Sequence, residues 1–126
     1  MKCPRILLIE DNKLLRWSLA KGLTREGFTV VAPPTVEEAL RPSVEFPFDV
    51  LVSDWRLPDG HNGLEVLTAV LHTLPRVVSI LISAEADAQL TTKALEAGFR
   101  RVIQKPLRIS QIVDAIHAIM PRDLPD

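Results

Sequence analysis

The stretch FDVLVSDWRLPDG, Phe48 to Gly60, decides how this sequence is interpreted. It opens with an apolar, β-branched run, Val50–Val52, of the kind that forms a strand buried on both faces. The run stops at Ser53 and Asp54, and a Pro-Asp-Gly turn follows soon after. A buried strand that ends on a carboxylate raises the question of what that carboxylate does.

Short apolar runs alternate with amphipathic stretches along the rest of the chain. The runs show no polar–apolar alternation, so each predicts a strand covered on both faces: Ile6–Ile9, Thr29–Ala32, Val50–Val52, Val77–Ile82 and Val102–Ile103. The stretches between them carry apolar residues three and four apart, which is typical of helices. Five repeats of strand and helix predict an α/β fold with a parallel sheet, right-handed crossovers and helices on both faces.

Helix boundaries are marked by capping residues. Gly27 and Gly98 are expected to end the first and fourth helices. The second helix opens with a Thr-x-x-Glu capping box, Thr35 and Glu38, and Pro42 is expected to cut it short. It is therefore predicted to be the shortest helix.

The composition is that of a soluble globular protein, with 126 residues of which 47% are hydrophobic and 25% charged. A net charge of −1 gives no basic footprint, so neither a nucleic-acid nor a membrane partner is expected. The single cysteine, Cys3, and the short apolar run near the N-terminus favour a cytoplasmic protein. We expect one domain over residues 1–120, followed by a tail or the start of a linker at 121–126.

Polar side chains follow four of the five predicted strands. Glu10 and Asp11 follow the first strand, Asp54 the third, Ser83 the fourth and Lys105 the fifth. Because parallel strands have their carboxyl ends at one edge of the sheet, we expect these five side chains to converge there. The strand of the opening stretch ends on an acid because that edge is the functional one.

The predicted cluster has a definite chemistry. Three carboxylates close together repel one another, so a proton or a cation must relieve them. Mg²⁺ suits such a site, because it binds through one or two carboxylates together with a phosphate. Beside a lysine, this predicts phosphoryl transfer to a carboxylate oxygen, achieved by positioning and charge neutralisation more than by acid–base catalysis.

Each of these residues also has an ordinary structural interpretation. The Glu-Asp-Asn sequence after the first strand could be no more than a helix cap, and so could Ser83. Asp54 could be a loop residue, and Lys105 a solvated lysine. The functional interpretation is favoured because all of them occur at strand ends in one array.

These motifs resemble the receiver domain of two-component response regulators, from about Arg5 to Ile119. The similar motifs, in order, are ILLIEDN, DVLVSDWRLP, ILISA and ALEAGFRRVIQKP. The resemblance implies a flavodoxin-like, doubly wound five-stranded parallel sheet of order 2-1-3-4-5, and a cis Lys105–Pro106 bond. It also implies a cytoplasmic phosphoacceptor switch and not a metabolic enzyme, one that assists its own phosphorylation and slow dephosphorylation.

The resemblance implies a role for each site residue. Asp54 is expected to accept the phosphoryl group, Lys105 to neutralise its oxygens, and Ser83 to donate its hydroxyl to them. Asp54 is also expected to bind Mg²⁺. The other expected metal ligands are Asp11, Glu10 through a water, and the backbone carbonyl of Arg56.

The resemblance also implies partners. The phosphoryl donor is expected to be a sensor histidine kinase or a histidine phosphotransfer protein that docks near the first helix. Phosphorylation is expected to change the face made by helix four, strand five and helix five, through which two copies could pair. No direct contact with nucleic acid or membrane is expected of this domain.

Two positions depart from the family pattern. The family usually has Tyr or Phe three residues before the lysine, where this chain has Val102, and Phe99 lies three residues too early. Gly63, which opens the third helix, comes one residue later than usual after Asp54, and within that longer loop His61 is expected to be exposed. The first departure keeps an alternative open: a degenerate receiver that acts as a phosphorylation-independent docking or dimerisation module.

Two other classes fit less well. An aspartyl-phosphate phosphatase of the dehalogenase type needs a second Asp two residues after the nucleophile, where this chain has Arg56. A flavin or nucleotide module needs a Gly- or Ser/Thr-rich loop after the first strand, where this chain has two acids. Arg56 and Glu85 are instead expected to govern the access of hydrolytic water, and Trp55 to report metal or phosphate by fluorescence.

Overall fold

The computed structural model describes residues 3–40 and 47–120. In these ranges five parallel strands form one sheet of order β2-β1-β3-β4-β5. The strands are β1 (Arg5–Ile9), β2 (Thr29–Val31), β3 (Val50–Asp54), β4 (Val78–Ser83) and β5 (Arg101–Gln104). The predicted fold class and strand order are confirmed.

Helices cover both faces of the sheet. They are α1 (Lys13–Arg25), α2 (Val36–Ala39), α3 (Gly63–Thr73), α4 (Ala88–Ala97) and α5 (Ile109–Ile119), with a single 3₁₀ turn at Pro58–Gly60. One core cluster joins α1 and α5 to alternate strand residues such as Ile6 and Val52. The other joins α2, α3 and α4 to the intervening residues, such as Leu7 and Leu51. Successive strand residues point to opposite faces, which explains why the runs are apolar throughout.

The strand boundaries differ slightly from the predicted ones. β2 ends at Val31 because β1 pairs with it only as far as Leu7. β4 begins at Val78 because the Val77 N–H donates to the Leu74 carbonyl in the turn after α3. β3 includes Asp54, which pairs with β4.

Asparagine and aspartate side chains cap three of the helices. Asn12, Asn62 and Asp87 each accept a hydrogen bond from a backbone N–H in the first turn of α1, α3 and α4, at 2.8–3.0 Å. Asn12 therefore caps α1 while the preceding two acids do not. Likewise Asp87 and not Ser83 caps α4, so the capping interpretation fails for these site residues.

The predicted helix ends are confirmed where the structure describes them. α1 ends just before Gly27 and α4 ends at Gly98, and both glycines have positive φ. α2 is the shortest helix described. Pro42 and the expected tail at 121–126 lie outside the described residues. Within the described ranges, no helix combines the length and hydropathy needed to cross a bilayer.

Candidate functional site

The carboxyl ends of β1, β3, β4 and β5 meet at one edge of the sheet. Register places Ile9 beside Ser53, Asp54 beside Ile82, and Ser83 beside Gln104. The residues that follow these strands therefore emerge at the same level. The Lys105 N–H, which donates to the Ser83 carbonyl at 2.9 Å, extends this pairing beyond β5.

Lys105 bridges two of the predicted carboxylates. Its Nζ donates a 2.7 Å hydrogen bond to Asp54 Oδ2 and lies 2.5 Å from Glu10 Oε1. The side chains of Glu10, Asp54 and Lys105 are 1%, 13% and 17% exposed. Three charged groups that are far apart in sequence thus meet in a largely buried site, as predicted.

The charge balance of this site holds Lys105 protonated. Burial disfavours the ammonium, but the hydrogen bonds and negative charges of Asp54 and Glu10 outweigh burial and raise the pKa of Lys105 above its ordinary value. The lysine therefore carries a positive charge at neutral pH.

The two carboxylate oxygens of Glu10 have different partners. Its Oε2 accepts a hydrogen bond from the Asn12 N–H at 2.9 Å. Its Oε1 is buried and, among the described residues, contacts the Lys105 ammonium without receiving another hydrogen bond. A buried carboxylate oxygen with so few donors suits a metal-bound water.

Asp11 stands apart from the two bridged carboxylates. Its side chain is exposed, and the described residues contain no group of three or more acids, histidines or cysteines close enough to hold a metal. The three predicted carboxylates therefore do not form one such group: Lys105 contacts Glu10 and Asp54, and Asp11 is not among its partners in the described ranges. Asp11 does lie at the same edge, since it lines a small cavity with Glu10 and Pro58.

The donor set fits a magnesium ion despite this spacing. Mg²⁺ keeps several of its waters and needs only one or two carboxylates from the protein. Asp54 and Asp11 offer carboxylates at one edge. The Arg56 carbonyl is also available, because the hydrogen bonds around the Arg56–Asn62 bridge run from Leu57 N–H to His61 and from Gly63 N–H to Trp55.

Ser83 is buried at the end of β4. Its Oγ accepts a hydrogen bond from the Glu85 N–H at 3.1 Å. A hydroxyl that accepts from the backbone still has its own proton to donate. Ser83 therefore lies at the carboxyl edge of the sheet with a hydroxyl proton that it can donate.

Gly63 is required by a close approach of the backbone. A Cβ at this position would lie 2.6 Å from the Asp54 carbonyl oxygen, far inside van der Waals contact. The start of α3 therefore packs directly against the phosphoacceptor position predicted from the sequence. The loop between them also contains Asp59, a non-glycine residue with φ 60°.

His61 lies in the loop after β3, as expected, with part of its side chain exposed. Its side chain is 26% exposed, its Nδ1 lies 3.0 Å from Glu65 Oε2, and its Nε2 lies 3.9 Å from Glu37 Oε1. The hydrogen bond with Glu65 and the nearby negative charges raise the pKa of His61 above its ordinary value. His61 thus joins the loop after β3 to α2 and α3.

Arg56 and Glu85 form an ion pair that the sequence did not predict. Arg56 NH2 lies 2.8 Å from Glu85 Oε2, with side chains 76% and 59% exposed. The pair connects the loops after β3 and β4. The one signal in the sequence is that each residue lies two positions after a strand end, Asp54 or Ser83. Side chains at equal distances from the ends of paired strands can be neighbours.

The described residues place no aromatic side chain at the switch position. Val102 is half-buried, whereas Phe99 is fully buried in the core between the sheet and α3–α4. Trp55 is half-buried against the same core, and Lys93 Nζ lies 5.6 Å from its ring centroid. The Lys105–Pro106 bond is cis, as expected.

Comparison with known proteins agrees with this geometry. A family model described as the response regulator receiver domain matches residues 6–117. The chain belongs to this family. Receiver domains are regulatory phosphoacceptors of two-component systems, are phosphorylated by histidine kinases, and bind Mg²⁺ at their acidic pocket.

Individual relatives share both sequence and fold with this receiver domain. The transcriptional regulatory protein KdpE of Mycobacterium tuberculosis is 31% identical over 118 residues, which cover 94% of this chain and 51% of KdpE. The receiver domain spans about half the length of the curated relatives it matches. Among solved structures, the non-phosphorylated HemR receiver domain of Leptospira biflexa has a TM-score of 0.80 at 29% identity, covering 98% of each chain. The BeF₃-activated DrrB receiver domain also has a TM-score of 0.80, at 26% identity, covering 93% of this chain and 97% of DrrB.

Proposed function

We propose that this receiver domain is the phosphoacceptor switch of a two-component system and takes its phosphoryl group onto Asp54. The observation that carries the proposal is the 2.7 Å hydrogen bond from Lys105 Nζ to Asp54 Oδ2 at the carboxyl edge of the sheet. A nucleophilic carboxylate beside a fixed ammonium is the pair that phosphoryl transfer to an acid requires.

The proposed step exchanges one bond to phosphorus for another. An Asp54 carboxylate oxygen attacks phosphorus, the P–N bond to a phosphohistidine breaks, and the imidazole nitrogen leaves and takes up a proton. The product is a mixed anhydride on Asp54, and later attack by water returns the carboxylate and inorganic phosphate. The Lys105 ammonium exchanges its contact with the Asp54 carboxylate for one with the phosphoryl oxygens, and the Ser83 hydroxyl donates a hydrogen bond to the same oxygens.

The metal ligands proposed are Asp54 and Asp11 directly, the backbone carbonyl of Arg56, and Glu10 through a water. Bound Mg²⁺ supplies charge neutralisation between the carboxylates and the phosphoryl group. Two observations on the described residues support this assignment. Glu10 Oε1 receives no hydrogen bond besides the contact with Lys105, and the backbone hydrogen bonds of the loop after β3 do not use the Arg56 carbonyl.

The proposal extends to the setting of the domain. The donor is a sensor histidine kinase or a histidine phosphotransfer protein, in the cytoplasm. The domain occupies residues 1–120, with 121–126 as a tail or linker. The face of α4, β5 and α5 changes on phosphorylation and is the proposed surface for a homodimer, while the domain itself makes no direct contact with nucleic acid.

A second function is favoured by one observation. Val102 removes the aromatic ring that relatives of the family usually carry at this position, so the domain could act as a docking or dimerisation module without phosphorylation. The complete set of charged residues around Asp54 favours the phosphoacceptor, because a docking module has no need of a lysine bridging two buried acids.

Incubation with acetyl phosphate and Mg²⁺, followed by intact mass measurement, tests the proposal. We expect a gain of about 80 Da, the mass of one phosphoryl group. The gain should be absent in Asp54→Asn and in the presence of EDTA, and a purified histidine kinase in its phosphorylated form should produce the same species. A wild-type mass unchanged by either donor would support the docking module instead.

A further inference from the structure

Trp55 joins the phosphoacceptor position to α4. It follows Asp54 directly in the chain, and its own carbonyl accepts a 2.7 Å hydrogen bond from the Gly63 N–H. Its indole is half-buried against the core that α4 shares. On the α4 side, Lys93 Nζ lies 5.6 Å from the ring centroid, within the range of a cation–π contact.

The indole, Leu90 and Lys93 line one groove, at whose rim Arg56 and Glu85 form their ion pair. The groove therefore runs from the residue after Asp54 to the first two turns of α4. Because Trp55 is the next residue in the chain, a change in the backbone at Asp54 acts directly on the position of the indole.

The helix on the other side of this groove is lightly anchored. Ala94 is the fully buried residue of α4, whereas α5 buries four: Ile112, Ala115, Ile116 and Ile119. A helix with little buried surface can change its position at low cost. The contact of Lys93 with Trp55 connects α4 to the loop after β3.

β5 packs against α4 but carries no aromatic side chain at the usual position. The usual aromatic position is occupied by the half-buried Val102, whose short branched side chain has restricted χ1 freedom and no ring to reorient. Phe99 is fully buried, which leaves it no solvent-exposed alternative position without opening the core. The aromatic residue nearest to Asp54 in the chain is Trp55.

We infer that Trp55 is the positioning residue through which the phosphorylation state of Asp54 is passed to α4, by way of Lys93 and Leu90. This inference rests on the proposed function, because it assigns the route by which that same site acts. Phosphorylation adds negative charge and three acceptor oxygens at Asp54. The loop and the indole then rearrange, and the two-state equilibrium of α4 shifts with the contacts that Trp55 makes.

The experiment uses Trp17→Phe as its background, so that Trp55 is the remaining tryptophan. Beryllofluoride with Mg²⁺ serves as the phosphoryl mimic, and two signals are recorded: Trp55 fluorescence and amide hydrogen exchange in α4. We expect beryllofluoride to change both signals. Lys93→Met should reduce the shift of the α4 equilibrium by about two- to fivefold, the weight of one exposed cation–π contact.

The chain provides a matched control in Lys21, whose Nζ lies 4.7 Å from the Trp17 ring centroid on α1. Lys21→Met, made with Trp17 retained, removes an equivalent cation–π contact and should leave the α4 exchange response unchanged. Trp55→Leu keeps an apolar side chain in the groove and should abolish most of the response, with Asp54 still phosphorylated by intact mass.

An α4 exchange response of wild-type size in both Lys93→Met and Trp55→Leu would overturn the inference. Failure of the proposed function gives a different result, since wild-type protein would then gain no phosphoryl mass and respond to no beryllofluoride. A variant that is phosphorylated normally but leaves α4 unresponsive supports the inference, because lost folding would remove both signals together.

Discussion

The ammonium of Lys105 donates a 2.7 Å hydrogen bond to the carboxylate of Asp54, although 51 positions separate the two residues in the chain. The parallel pairing of β3, β4 and β5 brings them together, since each strand ends at the same edge. The same ammonium contacts Glu10, so one cation compensates two largely buried acids.

Replacing Lys105 with Met is expected to leave Glu10 and Asp54 without their cation. We expect the free energy of unfolding to fall by about 1–3 kcal/mol at pH 7, less than for a fully buried pair because the lysine is partly exposed. Urea denaturation measures this, and millimolar Mg²⁺ should restore part of the loss. Lys13→Met, on the exposed side of α1, should change stability by no more than about 0.5 kcal/mol. A Lys105→Met protein as stable as wild type without Mg²⁺ would contradict the prediction.

Adding a methyl group at Gly63 is expected to disturb both stability and the site. Its Cβ would lie 2.6 Å from the Asp54 carbonyl oxygen, so β3 and α3 must move apart. We expect Gly63→Ala to lose about 1–3 kcal/mol of stability and to slow acceptance of phosphate from acetyl phosphate. Gly27→Ala is the control, because it strains a positive φ far from the site at a cost of about 1–2 kcal/mol and should leave the phosphorylation rate unchanged. Equal rates in the two variants would show that the close approach does not position Asp54.

His61 is expected to make stability depend on pH. Its interactions with Glu65 and Glu37 raise its pKa above 6.5, so the imidazolium stabilises the folded state. That contribution is fully present below the unfolded-state pKa and is lost as the pH rises through the higher folded-state pKa. The stability advantage of wild type over His61→Gln, measured by urea denaturation, should therefore be larger at pH 5.5 than at pH 8.5. His117→Gln removes an exposed imidazole from α5 as a control, and an advantage that grows with pH would refute the prediction.

The ion pair between Arg56 and Glu85 is expected to matter for phosphoryl lifetime more than for stability. Both side chains are largely exposed, so breaking the pair should cost no more than about 1 kcal/mol. Because it joins the loops after β3 and β4, Arg56→Ala should admit water and shorten the half-life of phosphorylated Asp54, by at most about fivefold. The decay is followed by intact mass after acetyl phosphate is removed. Phosphorylated Asp54 should have the wild-type half-life in Arg76→Ala, which changes an exposed arginine elsewhere. A longer half-life in Arg56→Ala would show that the ion pair does not keep water from Asp54.

The sequence predicts the parts of this structure that follow from backbone periodicity. The strand order came from a family resemblance, and the meeting of Glu10, Asp54 and Lys105 came from the rule that parallel strands end together. Both are confirmed: the strands are parallel in the expected order, so the residues that follow them emerge at one edge. The capping residues Thr35 and Gly98 were also predictable, since their conformational requirements are local.

What the sequence did not predict depends on long polar side chains and their tertiary neighbours. The pairing of Arg56 with Glu85 and the contacts of His61 depend on loops brought together by the fold. Asp11 was expected close to both other carboxylates, but the pattern of acids in the sequence does not show that Lys105 contacts Glu10 and Asp54 while the Asp11 side chain is exposed. The contact of Lys93 with Trp55 crosses between elements for the same reason.

The uneven burial of α4 and α5 has a consequence for any protein that senses this domain. α5 inserts four residues into the core it shares with α1, so its outer surface is tied to a part of the molecule remote from the indole groove. If phosphorylation acts through α4 as inferred, a partner that contacts only the outer surface of α5 would meet a smaller change than one that also contacts α4. A partner that distinguishes the two phosphorylation states is therefore expected to bind a surface that includes α4, the helix with the smaller buried face.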